Sequence, residues 1–343
     1  MPTFSPKKIL IIGPSWVGDT IMAQSLFKLL KQRDPNVVID VLAPAWTFSI
    51  LSCMPEVAQA IEIPIMHGEL KLRERYRISQ QLAASGYDQA IILPNSFKSA
   101  LIPWLARIPV RTGYLREFRG ILLNDGRKLD VVSHPLMVEQ YLALGVRANE
   151  TLAANYLYPS LQANSAAQQA ALAKHQPLYR GRPILALCAG AEFGSAKRWP
   201  AEYYAEVVQQ KIADGWDVWL FGSAKDKVVT DHIMTLTHQQ CENLAGRLQL
   251  TETLALLSLT SGVISNDSGL MHMAAALDKP VMVIYGSTSD QFTPPLSQHA
   301  IILKLHLPCQ PCFQRECPLK HHRCMRDITP DQVLAACAHW EHR

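Results

Sequence analysis

Gly262-Val263-Ile264-Ser265-Asn266-Asp267-Ser268-Gly269-Leu270-Met271-His272-Met273-Ala274-Ala275-Ala276-Leu277 and, after Asp278-Lys279-Pro280, Val281-Met282-Val283-Ile284-Tyr285 form the stretch that decides the fold. Two short apolar runs flank a helical segment, Leu270 to Leu277. Neither run alternates apolar with polar residues, so each reads as a strand buried on both faces, as in a parallel sheet. A strand, a helix and a second strand in so short a span is the unit of an α/β layer fold.

Working outward, the same grammar recurs in both halves of the chain. Upstream, Ile184-Leu185-Ala186-Leu187-Cys188 reads as a strand, a helix runs from Pro200 to about Ile212, and Asp217-Val218-Trp219-Leu220-Phe221 is the next strand. The first half opens on Ile9-Leu10-Ile11-Ile12, broken by Gly13 to Asp19 before a helix from about Thr20 to Lys31. Val37 to Leu42 and Ala90 to Leu93 are further strands. Between the halves lies an Ala/Gln-rich polar segment with Pro177 and Gly181-Arg182-Pro183, which suits a joint. The expected division is therefore residues 1–178 and 179–343, two doubly wound domains facing a cleft. Ligands in such sheets bind at the carboxyl ends of the strands. A last helix, Asp331 to His339, follows Thr329 as its expected N-cap.

Bulk properties narrow the functions. The 343 residues are 48% hydrophobic and 18% charged, a globular balance that suits two domains. No apolar run reaches the roughly 20 residues of a membrane-spanning helix, and the first apolar stretch ends after Ile12, too short for a signal-peptide core. The expectation is a cytoplasmic protein. A net charge of +4 does not by itself point to nucleic acid. The charge is uneven, however: Lys98, Arg107, Arg111, Arg116, Arg119, Arg127 and Lys128 face only Glu117 and Asp125 across that stretch. This reads either as a solvated face or as a landing site for an anionic partner. Eight scattered cysteines in such a setting do not suggest disulfides.

Three loops carry chemistry. Asn266-Asp267-Ser268-Gly269 stands where a strand ends and a helix begins, so unpaired N–H groups and the helix dipole favour a phosphate or diphosphate there. Gly269 lets a ligand approach the backbone and His272 sits one turn on; the plain alternative is an ordinary N-cap. Gly190-Ala191-Glu192-Phe193-Gly194-Ser195-Ala196-Lys197-Arg198-Trp199-Pro200 is a second glycine-bearing loop, which brings two cations to a helix start. Such cations neutralise a leaving diphosphate. In the first half, Ser15-Trp16-Val17-Gly18-Asp19 places a carboxylate at a helix start, as a simple cap or as a general base on an acceptor hydroxyl.

The first strand is followed by neither a G-x-G-x-x-G fingerprint nor a G-x-x-x-x-G-K-[ST] loop, and Pro14 removes an N–H that a cofactor loop would use. A nicotinamide dehydrogenase or a kinase is disfavoured. A sugar-nucleotide epimerase would need a second pair of acid/base carboxylates beyond Glu192 and Asp267. A zinc-ribbon nucleic-acid binder would need aromatic–basic interleaving that the cysteine-rich segment lacks.

Five ordered blocks resemble the lipopolysaccharide heptosyltransferases of glycosyltransferase family 9: Pro14 to Asp19, Pro94 to Ala100, Gly190 to Pro200, Asn266 to His272, and Phe292 to Leu296. The resemblance spans nearly the whole chain and is nearest to members that add the second heptose; type I or III members are the alternative. It implies the GT-B fold, an ADP-heptose donor in the C-terminal domain, inversion at the anomeric carbon and no cofactor for catalysis. By motif match it implies Asp19 as base, Lys197 as the diphosphate cation, and Gly190, Ala191, Glu192, Lys197, Asp267, Ser268, Gly269 and His272 as the donor site. It further implies a lipopolysaccharide inner-core acceptor, met by Asn95, Lys98, Arg111, Arg116 and Arg119, with peripheral contact at the inner membrane and no nucleic acid. The chain departs from the family pattern at Ala189 and Ser195, where proline is expected.

Cys309-x2-Cys312-x4-Cys317-x6-Cys324 stands apart from these blocks. The first spacing suits tetrahedral zinc and four thiolates complete such a site, with His306, His321 and His322 in reserve. The alternative is four unlinked thiols in a loop.

Overall fold

The computed structural model describes residues 7–66 and 68–342. Residues 1–6, part of the N-terminal stretch read for a leader, lie outside the described residues. The chain divides into two compact units, Met1–Pro159 and Ser160–Arg343.

In the first unit six strands form one parallel sheet. They are β1 (Lys8–Ile12), β2 (Val38–Ala43), β3 (Gln59–Glu62), β4 (Gln89–Ile92), β5 (Val110–Tyr114) and β6 (Asp125–Arg127), in the order β3-β2-β1-β4-β5-β6. The second unit repeats this with β7 (Ile184–Cys188), β8 (Asp217–Leu220), β9 (Glu242–Asn243), β10 (Gly262–Asn266), β11 (Val281–Tyr285) and β12 (Ala300–Lys304), in the order β12-β11-β10-β7-β8-β9. Read from its first strand, the second sheet has the same winding as the first. Both have the 3-2-1-4-5-6 order of doubly wound nucleotide-binding sheets.

The chemistry of the strands explains this arrangement. β7 and β11 are buried along their whole length, as the apolar runs require, and helices cover both faces. In the second unit Leu185, Leu187, Ile264, Met282 and Ile284 pack with Trp199, Tyr204, Val207 and Trp340. In the first, Leu10, Ile12, Ile92, Ile102 and Leu122 form the corresponding core. The order reverses between β1 and β4 and again between β7 and β10, and registers fix the loops there. Ile12 pairs with Ile92, and Ser265 with Cys188, so the two loops at each reversal leave the sheet at the same level.

The contact division falls earlier than the joint expected at 178–179. Helix Ser165–His175 packs against helix Leu250–Leu257, where Gln168 Nε2 donates to Ser258 Oγ at 2.8 Å and Lys174 Nζ to Glu252 Oε1 at 2.7 Å. The Leu161 N–H also donates to the Ala276 carbonyl at 2.7 Å. The chain is thus committed to the second sheet from Ser160 on. The C-terminal helix is Pro330–Cys337, capped by the Thr329 side chain as the sequence suggested. Among the described residues, no helix is long and apolar enough to cross a membrane.

Candidate active site

The second reversal brings together the loops after β7, β10 and β11. Asp267 is the centre of the group. Its Oδ2 accepts from Lys197 Nζ at 2.6 Å and from Thr288 Oγ1 at 2.6 Å. Asn266, fully buried, ties the loops in place. Its Oδ1 accepts from the Trp199 N–H and the Tyr204 hydroxyl, and its Nδ2 donates to the Ala189 carbonyl at 2.8 Å. Helix Gly269–Ala276 starts here with Ser268 in the N-cap position, yet no side chain caps it. Asp267 is turned to Lys197 instead, which leaves the helix start to an anion.

His272 faces this group from one turn inside the helix. Burial, with Lys197 adding to it and Asp267 opposing, pushes its imidazole down to about 4, so it is neutral at physiological pH. A neutral imidazole can both donate and accept. Lys197 also lies 5.0 Å from the Phe193 ring centroid, and the Arg315 guanidinium lies 5.5 Å from the same ring.

Gly190, Ala191 and Glu192 are near but play different parts. A Cβ on Gly190 would stand 2.2 Å from the Asp226 carboxyl carbon, so only glycine lets β7 end against that side chain. Ala191 is buried, and the exposed Glu192 is engaged with Lys225 rather than turned to Lys197. Asp226 accepts from the Ser223 N–H and hydroxyl, while its Oδ1 has no hydrogen-bond partner. Thr288, Asn266, Asp226, Phe193 and Arg315 received no role from the sequence. For Thr288 a signal existed: it follows β11, next to β10, so its loop had to open beside Asp267.

The first reversal gathers the loops after β1 and β4. Asp19 is half-buried in the first turn of helix Val17–Arg33, close enough to Tyr141 that its charge adds to burial in raising that phenol well above its usual value. Lys98 is half-buried in the first turn of helix Phe97–Leu105, and Asn95 is exposed just before it. The arginines expected beside them divide sharply. Arg116 is exposed. Arg119, read as an acceptor contact, is 0% exposed and has a bracing role within the unit. Its guanidinium donates to the carbonyls of Tyr114, Pro94 and Ser96, to Ser99 Oγ and to Asn95 Oδ1, and burial lowers its pKa to about 10. It braces the loops after β4 and β5. Arg111 is likewise turned inward, donating to the Leu122 and Ile108 carbonyls.

The four clustered cysteines are unlinked and wall one small cavity with Ala196, Gly286, Ser287 and Gln310. Among the described residues, no three His, Cys, Asp or Glu side chains are already set round a point where an ion could sit.

The family model of glycosyltransferase family 9 (heptosyltransferase) matches residues 75–323. Lipopolysaccharide heptosyltransferase 2 of Salmonella typhimurium is 46% identical over 336 residues, 95% of this chain and 96% of that protein. Its counterpart in Escherichia coli is also 46% identical. The solved structure of E. coli ADP-heptose LPS heptosyltransferase II superposes with a TM-score of 0.88 at 43% identity, covering 97% of this chain and 98% of that one. Two six-stranded parallel sheets of the same winding, and this likeness along nearly the whole chain, make the fold GT-B. A family match over residues 75–323, 46% identity to a curated heptosyltransferase along 95% of the chain and the shared two-sheet fold leave one conclusion: the chain belongs to glycosyltransferase family 9, the heptosyltransferases.

Proposed function

We propose that this enzyme transfers L-glycero-D-manno-heptose from ADP-heptose, with inversion, to the heptosylated inner core of lipopolysaccharide. The observation that carries the donor half is the Lys197–Asp267–Thr288 cluster at the uncapped start of helix Gly269–Ala276, with neutral His272 behind it. The heptose and the second-heptose acceptor rest on the relatives, four of which at 44–46% identity are named heptosyltransferase 2.

The chemistry is a single displacement. As the ADP diphosphate leaves, negative charge grows on the oxygen that held the anomeric carbon. Lys197 and the helix N–H groups meet that charge, and Ser268 and Gly269 let the phosphates approach the backbone. A sugar hydroxyl is a poor nucleophile at neutral pH, so a base must take its proton in the transition state. Asp19 of the first unit takes that role, and Asn95, Lys98 and Arg116 meet the acidic acceptor. The step needs no cofactor.

The same reading places the enzyme on the cytoplasmic face of the inner membrane. Phe118 is 98% exposed, and Ile121 and Val132 are also bare, on the loops that follow neighbouring strands β5 and β6. Exposed Arg116 and Lys128 flank them, a pairing that suits an anionic lipid surface.

A transfer assay with ADP-heptose and inner-core acceptors carrying one heptose or none tests this reading. Transfer only to the heptosylated core is expected. Transfer only to the heptose-free core would reassign the enzyme to the first heptose. No transfer to either, from a protein that binds ADP, would overturn the reading.

A further inference from the structure

The segment 305–322 contains no helix or strand, yet it lies against the donor loop at several points. The Phe313 N–H donates to the Ser287 carbonyl at 2.7 Å, and Gln310 Nε2 to the Tyr285 carbonyl at 3.1 Å. The Arg315 carbonyl accepts from the Ala196 N–H at 3.0 Å, and Gly194 is so close that a Cβ there would meet this carbonyl oxygen at 2.2 Å.

We propose that Cys309, Cys312, Cys317 and Cys324 bind one thiophilic transition-metal ion, zinc or iron, as four thiolates, and that this ion clamps the segment onto the donor loop beside Lys197. All four side chains wall a single cavity of about 20 Å³, the room of one atom-sized body and far too little for an organic cofactor. Two residues that line this cavity hold buried polar atoms without a partner. The Ser287 hydroxyl, 1% exposed, has no partner, and neither has Gln310 Oε1. Buried polar atoms are rarely left so. A hydroxyl beside metal-bound sulfur can donate to it, which gives Ser287 its partner.

The thiols surround the cavity rather than meet at a point. Binding is the step that draws each sulfur to about 2.3 Å from the ion, as in zinc–thiolate sites. Each thiol that is protonated gives its proton to solvent as its bond to the metal forms, and no redox change is involved. Four sulfurs in a tetrahedron select zinc or iron over the harder divalent cations. The span between Cys312 and Cys317 carries Arg315, whose guanidinium sits on the Phe193 ring that Lys197 also faces. Metal loading is therefore felt at the diphosphate cation.

The clamp rests on the donor reading, whereas the metal site does not. Full-length protein is purified with reductant and without chelator, and metal content is measured beside titration of its thiols. About one zinc or iron per chain is expected, with the four thiols unreactive until a strong chelator is added. Cys312→Ser and Cys317→Ser should lose most of the metal while Cys53→Ser keeps it. If those variants are insoluble, competition of the wild-type chain against a chromophoric zinc chelator gives the same answer. Fewer than about 0.1 ion per chain after challenge with zinc and with ferrous iron, the thiols being reduced, would overturn the site. ADP affinity of metal-loaded and metal-stripped wild type, measured by calorimetry, tests the clamp. A fall of about tenfold or more on stripping is expected. Unchanged affinity would overturn the clamp, and this readout stands whether or not heptose is transferred.

Discussion

On the proposed reading, Lys197 and Asp267 hold the donor site ready for its ligand. A lysine ammonium and a carboxylate at 2.6 Å, both largely buried, hold each other until a diphosphate offers the lysine more negative charge. Lys197→Ala should therefore weaken ADP binding by about 1.5–3 kcal/mol, the scale of a hydrogen bond to a charged group. Calorimetry on both proteins checks this, and equal ADP affinity would remove Lys197 from the site. His272 supplies the pH dependence. Its folded pKa, about 4, lies below the ordinary 6.5, so between these values the unfolded chain binds more protons. Its contribution to stability is complete above pH 6.5 and is lost as pH falls through the window, by roughly 2 kcal/mol at pH 5. Urea titrations at pH 7 and pH 5 should show this loss in the wild type and a smaller one in His272→Gln. An equal loss in both would assign the acid sensitivity elsewhere.

Among the elements, Arg119 distinguishes bracing from binding. It joins the loops after β4 and β5 through three carbonyls, a serine hydroxyl and an asparagine, with no exposed surface of its own. Arg119→Ala should cost about 3 kcal/mol of stability, because buried carbonyls lose their donors. Thermal unfolding checks that figure. A stable variant with a raised acceptor KM would return Arg119 to the acceptor site. The sequence could not show this residue's role. A buried guanidinium satisfied by backbone carbonyls has no local pattern, and among nearby basic residues it looks like one more surface charge. Arg111 was hidden for the same reason. Elements with a physical signature were legible: β7 and β11 as unbroken apolar runs, and the loops after β1, β7 and β10 as glycine-bearing breaks at strand ends. β9, with two residues, and β3, a half-exposed edge, had no such pattern. The boundary at Pro159–Ser160 was obscured because helix Ser165–His175 is Ala/Gln-rich and reads as linker. Only its packing on helix Leu250–Leu257 shows which unit owns it.

At the scale of the whole molecule, the two sheets have one winding and two different duties. On the proposed reading, the bare apolar side chains after β5 and β6 lie on the unit that takes the lipid-borne acceptor. Phe118→Ser combined with Ile121→Ser should lower co-sedimentation with anionic vesicles several-fold and leave ADP affinity unchanged. Undiminished vesicle binding would remove this face from the membrane contact.

The division of duties itself is tested most directly by kcat of Asp19→Asn, measured with ADP-heptose and the heptosylated acceptor. If the second unit holds the donor and the first supplies the base, this variant keeps its fold and its ADP-heptose affinity. Its kcat then falls by about 10²–10⁴-fold, the usual contribution of a positioned base. A near-normal kcat would contradict the account, because the proton would then leave the acceptor by another route and the first sheet's reversal would not hold the base.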